Sequence, residues 1–293
     1  MVIWDDEWYL AFREGTSHVD DSAVIRILCS KDGQKWDLFQ TISTDNIDLR
    51  DPNLSVMSDG TLLLICGATI RNQDNTEITK TYYSKCPKRG HFGIPIPVKL
   101  PKEIDKGPWN WLWKLTWNAG VGYGAVYRND GEADKLTLVK TSDGVLYDFV
   151  TELEVGRLVN ETRVRIIPDQ TMVALMRSGG NGYMGISKPP YTKWEMKQLD
   201  IFLAGQEFVF DGTRMVCSTR RRDPEGEKTV VYFGDISGVF NECIEIPSYG
   251  KTSDTGYPSI IDMHNDYYIS YYSMHETEKP CIYLSRISKG KWR

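Results

Sequence analysis

Residues 30–36 read Ser-Lys-Asp-Gly-Gln-Lys-Trp (SKDGQKW) and follow the apolar run AVIRILC. A close copy, TSDGVLY at Thr141–Tyr147, follows KLTLVK. In each, a hydroxyl residue precedes an Asp by two positions, a Gly follows, and an aromatic closes the motif. Ser30 and Asp32 suit side-chain bonds to the amides of a turn, and Gly33 suits the left-handed backbone such a turn needs. Trp36 and Tyr147 then fold back as apolar pegs. The motif therefore marks a strand–turn–strand corner, and its recurrence calls for a search for further repeats.

A unit of about 45–50 residues recurs six times. Each copy holds an apolar run, a turn, a second apolar run ending in polar residues, a third run, and a fourth led by an aromatic. The copies open with VIWDDEWYLAFREG, RDPNLSVMSDGTLLLICGAT, WLWKLTWNAGVGYGAVYR, TRVRIIPDQTMVALMR, QEFVFDGTRMVCSTRRR and YPSIIDMHNDYYISYYS. Turns between first and second strands are expected at Asp5-Asp6-Glu7, Asp59-Gly60, Asp169-Gln170, Asp211-Gly212 and Asn265-Asp266, pairs that supply positive φ cheaply. Helical periodicity is nearly absent. Equal four-stranded antiparallel repeats predict an all-β, six-bladed β-propeller, with residues 1–293 as one domain. A β-sandwich does not require equal repeats.

The chain has 293 residues, 12% of them aromatic, with nine Trp and sixteen Tyr. Ring side chains suit pleated, half-buried surfaces and also stack on sugar faces. The formal charge of −5 and the lack of a basic run beyond TRRR (Thr219–Arg222) argue against a nucleic-acid partner. Cysteines 29, 66, 86, 217, 243 and 281 form no CxxC pair and sit mostly in apolar runs, as buried free thiols do. Four scattered histidines offer no metal spacing, so neither a metal nor a cofactor is expected. No stretch approaches the ~20 apolar residues of a membrane helix. Met1 leads straight into strand-like sequence without a signal peptide, which suits a cytoplasmic chain or a mature or trimmed form. The lone Gly-rich GGNGY, Gly179–Tyr183, has no helix after it to cradle a phosphate.

SKDGQKW resembles the Asp-box, S-x-D-x-G-x-x-W, of the sialidase (neuraminidase) superfamily, one residue short. NETRVRIIPDQTMVALMR (Asn160–Arg177) is similar to the family segment in which Asn-Glu begins a strand and the next strand ends in Arg. DTGYPSII (Asp254–Ile261) is similar to the segment opening blade six, which carries the family's tyrosine nucleophile. AFREGTSHVDDSAVIRI is similar to the stretch of blade one in which an Arg and an acidic loop precede the Asp-box. The resemblance spans most of the chain with blade order kept, and FREG, RDP-LS, NETRVR and YYS-HE are patterns of exo-α-sialidase-like bacterial proteins. One departure stands out. Sialidases open blade one with Arg-Ile-Pro, whose arginine is the first of three gripping the substrate carboxylate, and this chain opens with VIW. Either Arg50 or Arg13 takes that place, or the site holds a different sugar.

The resemblance implies a retaining glycosidase acting on a terminal acidic sugar. Guanidinium groups bind a carboxylate through paired, charge-assisted bonds. Arg177, Arg220 and either Arg13 or Arg50 are the candidates. A carboxylate nucleophile would be repelled by the sugar's own carboxylate, whereas a neutral tyrosine is not. Tyr257 is the expected nucleophile. Its phenol needs a base, and Glu161 is the expected partner. The general acid falls to Asp20 or Asp21 in the blade-one loop. Asp51 is the other candidate, although an Asp beside Arg50 better suits a structural pair. His18, Trp113 with its neighbour Trp111, and His275 are further candidates to contact the sugar. Alternatives are a propeller glycosidase or lyase for another acidic or deoxy glycan, and a glycan-binding propeller without catalysis.

Overall fold

Turns set the strand order of this protein. The computed structural model describes residues 1–291 other than 73, 75, 89, 130–133, 157 and 249–253. Two compact units divide the chain, Met1–Glu154 and Val155–Arg293.

The first unit holds three groups of strands. β1 (Val2–Trp4), β2 (Glu7–Glu14), β3 (Val24–Ser30) and β4 (Asp37–Ile42) form an antiparallel sheet in chain order. β5 (Asp48–Val56), β6 (Leu62–Arg71), β7 (Glu77–Cys86) and the short β8 (Ile96–Pro97) form the next. β9 (Trp109–Leu112) and β10 (Thr116–Asn118) both pair with β11 (Val121–Asn129), followed by β12 (Asp134–Thr141) and β13 (Asp148–Glu152). A parallel pairing of Thr79 with Trp109 joins the second and third groups into one hydrogen-bonded sheet.

The second unit repeats the pattern. Its groups are β14 (Thr162–Ile166), β15 (Met172–Met176), β16 (Asn181–Ser187) and β17 (Glu195–Phe202), then β18 (Glu207–Asp211), β19 (Arg214–Asp223), β20 (Gly226–Gly234) and β21 (Phe240–Glu245). The last is β22 (Gly256–Met263), β23 (Asp266–Ser273) and β24 (Cys281–Ser288), three strands among the described residues where the repeat predicts four. A short 3-10 turn, Lys289–Lys291, follows.

Local chemistry explains the corners. Ser30 Oγ accepts from Gly33 N at 2.9 Å, and Asp32 Oδ1 accepts from Gln34 N and Lys35 N at 2.8 and 2.9 Å. Trp36 Nε1 closes the turn on Gly33 O at 3.1 Å. Thr141, Asp143 and Tyr147 repeat each of these bonds, and Gly33 and Gly144 share φ 72°. Positive φ also falls at the first-to-second-strand turns: Asp5 and Asp6, Gly60, Gln170 and Gly212. In the last group it falls on His264, one residue before the expected pair. Ala119-Gly120 makes the corresponding turn in the third group, which the sequence reading left unmarked.

Second strands are buried on both faces. β6 runs Leu62–Ala68 with every side chain buried, as does β15 throughout. Leu62, Leu64 and Cys66 pack toward one cluster with Trp4, Ile25 and Leu49, while Leu63 and Ile65 face another with Leu112, Val126 and Val139. The second unit has two such clusters of its own, around Val216, Phe233 and Tyr267 and around Val173, Leu175 and Phe208. Each buried Leu- or Ile-sized chain contributes about 2 kcal/mol of transfer free energy. All six cysteines are free thiols; Cys66, Cys86 and Cys217 are buried, while Cys243 is exposed. No helix among the described residues is long and apolar enough to cross a membrane.

Candidate active site

In the second unit, four chain segments meet around Glu161, which lies immediately before β14 and is 5% exposed. Its Oε1 accepts from Tyr257 OH at 2.6 Å and from Arg177 Nη1 at 2.6 Å. Its Oε2 accepts from Gly205 N at 2.7 Å, and its main-chain O accepts from Gln206 Nε2 at 2.7 Å. A buried carboxylate needs several donors to offset lost hydration, and this one has them. Burial works to lower the pKa of Arg177, but the charges of Glu161 and Tyr257 outweigh it and raise it.

Tyr257 is aimed by a β-bulge. Gly256 pairs with Tyr272 and Ser259 with Ser270, so Tyr257 and Pro258 together oppose Tyr271 alone. Tyr257 has φ 50°. A non-glycine residue there is strained, and a following proline narrows its options further. Such strain concentrates where a side chain must be held in one direction. Gly205 makes room for it. With φ 63°, a Cβ at Gly205 would lie 2.9 Å from Tyr257 Cγ.

Arg220, on β19, lies beside this pair with its Cζ 5.8 Å from the Tyr257 ring centroid. The His275 ring lies 4.3 Å from that of Tyr283 with the planes tilted by 42°, and its Nδ1 is 3.0 Å from Ser273 Oγ.

The first unit has its own charged cluster. Arg13 clasps Asp48 through Nε to Oδ1 at 2.7 Å and Nη2 to Oδ2 at 3.0 Å, and donates to Ser17 O. Asp48 is fully buried and also accepts from Asp20 N at 3.0 Å. Arg13 therefore organises its own loop, where a substrate-binding role was expected.

Asp20 also differs from expectation. Its carboxylate accepts from Ser22 Oγ and N and from Thr16 N and Oγ1. These bonds, that of the Ser22 hydroxyl foremost, hold it well below the usual carboxylate range. A general acid needs the opposite shift. Asp21, next to it, is exposed.

Arg50 Nη2 lies 2.9 Å from His18 Nε2, and its Cζ lies 5.6 Å from the Trp111 ring centroid. Arginine only donates, so His18 Nε2 is the acceptor in this contact. Asp51 sits in a bulge like that of Tyr257. Asp51 and Pro52 oppose Cys66 alone, and Asp51 has φ 46°. Burial, with help from the Asp51 charge, pushes the Cys66 thiol up. Trp113 is corrected from sugar contact to core: it is 1% exposed, under Lys114 Nζ at 4.3 Å. Every side chain from Trp111 to Leu115 is buried, so neither face of this stretch is open to a ligand.

The structure thus brings Glu161, Arg177, Tyr257 and Arg220 together in the second unit, and Arg13, Asp20 and Asp48 together in the first. Asp48, Gly205, Asp254 and Tyr272 were missed by sequence reasoning. Asp254 and Tyr272 lie in stretches already singled out, DTGYPSII and YYS-HE, whereas Asp48 and Gly205 sit in no motif.

Sheets of this topology are those of the sialidase-like β-propeller fold, which solved structures share at low sequence identity. Trypanosoma rangeli sialidase bound to the inhibitor DANA superposes with a TM-score of 0.73 at 12% identity, covering 98% of this chain and 54% of that one. The chain thus spans about half the length of that sialidase. A Dyadobacter fermentans protein of unknown function gives 0.85 at 18% identity, covering 97% and 92%. A GH43 β-xylosidase/α-arabinofuranosidase from a compost metagenome gives 0.55 at 11% identity, covering 83% and 92%. No protein-family model and no curated protein matches the sequence.

Proposed function

We propose that the protein is a retaining glycoside hydrolase of the sialidase type, its six strand groups being the blades of one propeller. It releases a terminal sialic acid or related keto-acid sugar. Glu161 takes the phenolic proton of Tyr257, and the phenolate oxygen bonds to the anomeric carbon as the bond to the leaving oxygen breaks. An acid protonates that oxygen, and Asp21 is the candidate carried forward from the β2–β3 loop. Water then attacks the anomeric carbon of the glycosyl-tyrosine intermediate and gives its proton to the acid residue, now a carboxylate, while the Tyr257 bond breaks and Glu161 returns the proton to the phenolate oxygen. Arg177, whose Nη1 holds Glu161, has further N–H groups for the sugar carboxylate.

The observation that carries this reading is the 2.6 Å bond from Tyr257 OH to Glu161 Oε1. It is within the reach that a base needs. The test is fluorophore release from a 4-methylumbelliferyl α-sialoside by the wild type, Tyr257→Phe and Glu161→Gln. Release is expected from the wild type and its loss from both variants. No release from sialosides or keto-deoxy analogues sinks the reading.

A second reading keeps the propeller and changes the ligand: a glycosidase or lyase for another acidic or deoxy glycan, or a glycan-binding protein without catalysis. The engagement of Arg13 by Asp48 favours it, since one candidate for the missing first arginine is already spent. Binding of acidic sugars without turnover supports the non-catalytic form.

A further inference from the structure

Arg220 is one of the arginines that the resemblance turns toward a substrate carboxylate. Its surroundings give it other work. Nε donates to Thr255 O at 2.6 Å. Nη2 donates to Tyr272 OH at 2.8 Å and to Asp254 Oδ1 at 3.3 Å. Nη1 pairs with Glu227 Oε2 at 3.1 Å. A guanidinium has five N–H donors in a fixed fork, and these contacts engage its Nε and both terminal nitrogens. Bidentate capture of another carboxylate needs two parallel donors, which Arg220 no longer has. Tyr272 OH in turn donates to Asp254 Oδ1. Burial raises the Tyr272 pKa; Arg220 opposes this and Asp254 adds to it, so Tyr272 stays a neutral donor.

The same contacts converge on Tyr257. Thr255 O, which Arg220 holds, lies two residues before Tyr257 on the way into the bulge. Gly256, at φ 132°, passes so close that a Cβ there would lie 3.2 Å from Arg220 Nε. The guanidinium faces the Tyr257 ring, and the Tyr272 ring lies 6.1 Å from it. The charges around the phenol are therefore Glu161, Arg177 and Arg220, with Asp254 and Glu227 paired to Arg220.

We propose that Arg220 is a positioning residue for Tyr257: it pins the strained peptide and stabilises the phenolate, and does not receive the substrate carboxylate. This rests on Tyr257 being the nucleophile. Removing Arg220 leaves Glu161 opposing phenol ionisation with one cation fewer against it. An opposite charge at this range shifts a titration by about one unit or more.

The test reads the tyrosine directly. In the full chain labelled with 13Cζ-tyrosine, the Tyr257 resonance is assigned with Tyr257→Phe and followed through pH without substrate. Arg220→Met is expected to move its midpoint up by about one pH unit, a tenfold change in ionisation, and Arg220→Lys by less. Asp254→Asn, at a residue whose side chain is 62% exposed, is expected to move it down, because Arg220 then acts with less compensation. This variant decides the matter if Arg220→Met does not fold. Unmoved midpoints overturn the proposal. In kinetics with an α-sialoside, Arg220→Met and Tyr272→Phe are expected to lower kcat and leave KM within about threefold. A tenfold rise in KM at constant kcat would instead make Arg220 a substrate receptor and overturn the proposal. If the wild type turns over no glycoside, the proposed function fails while the titration still decides the role of Arg220.

Discussion

Asp48 in the first unit and Glu161 in the second are both buried carboxylates at the head of a sheet's first strand, and both hold an arginine. Asp48 takes Arg13 through both oxygens and also accepts from the amide of Asp20. Glu161 takes Arg177 through Nη1 only, and shares that oxygen with a tyrosine hydroxyl. The first arrangement closes a loop on itself. The second leaves a proton between two oxygens, held by a residue under backbone strain. On the proposed reading, the same residue types serve stability in one place and chemistry in the other, according to whether a transferable proton is present.

The sharpest way to break this comparison is to neutralise each carboxylate in turn. Glu161→Gln keeps an acceptor for Gly205 N and removes the base. Its expected effect is a loss of about 10³-fold in sialoside hydrolysis, with the urea midpoint little moved. Asp48→Asn strands Arg13 with half its partners. Because Arg13 is partly exposed, the expected cost is about 2–4 kcal/mol in urea unfolding. A Glu161→Gln protein that unfolds early while Asp48→Asn stays stable would reverse the assignment.

The two bulges offer a smaller test. Asp51 and Tyr257 both have positive φ before a proline, in the two-against-one register. In an ordinary strand Ala is more stable than Gly. At these two positions the order is expected to invert. Asp51→Gly and Tyr257→Gly should each unfold later than the matching Ala variant, by about 1 kcal/mol in urea. The usual order at either position would show that its backbone stores no strain.

The fold was legible because its signals are local. SKDGQKW closes through bonds spanning two or three residues, so composition and spacing suffice to read it. The cluster around Glu161 is different in kind: Tyr257 lies 96 positions away and Gly205 lies 44. Glu161, Arg177, Arg220 and Tyr257 came forward only through blade numbering and family resemblance. The engagement of Arg13, offered with Arg50 for the missing first arginine, was not legible because its partner, Asp48, is 35 residues on and sits in no motif. Trp113, offered for sugar contact because rings stack on sugars, is instead buried among neighbours on both sides, which composition alone does not reveal.

The smallest expected effect concerns Asp20, which draws its turn partners from Thr16 and Ser22. Its folded pKa is lowered, so the stability it contributes is present above the unfolded Asp value near 4 and is lost as pH falls through the folded value. Above that window the wild type should melt slightly later than Asp20→Asn, because only a carboxylate accepts all four bonds. As pH falls from about 4 the two melting curves should converge, since protonation does to the wild type what the substitution has already done. The residue is at the surface, so the gap should be small and should shrink with added salt. Melting temperatures from pH 6 to pH 2 decide it. A gap that widens in acid would mean that Asp20 gains by holding a proton, as a general acid does, and would restore it beside Asp21 as a candidate.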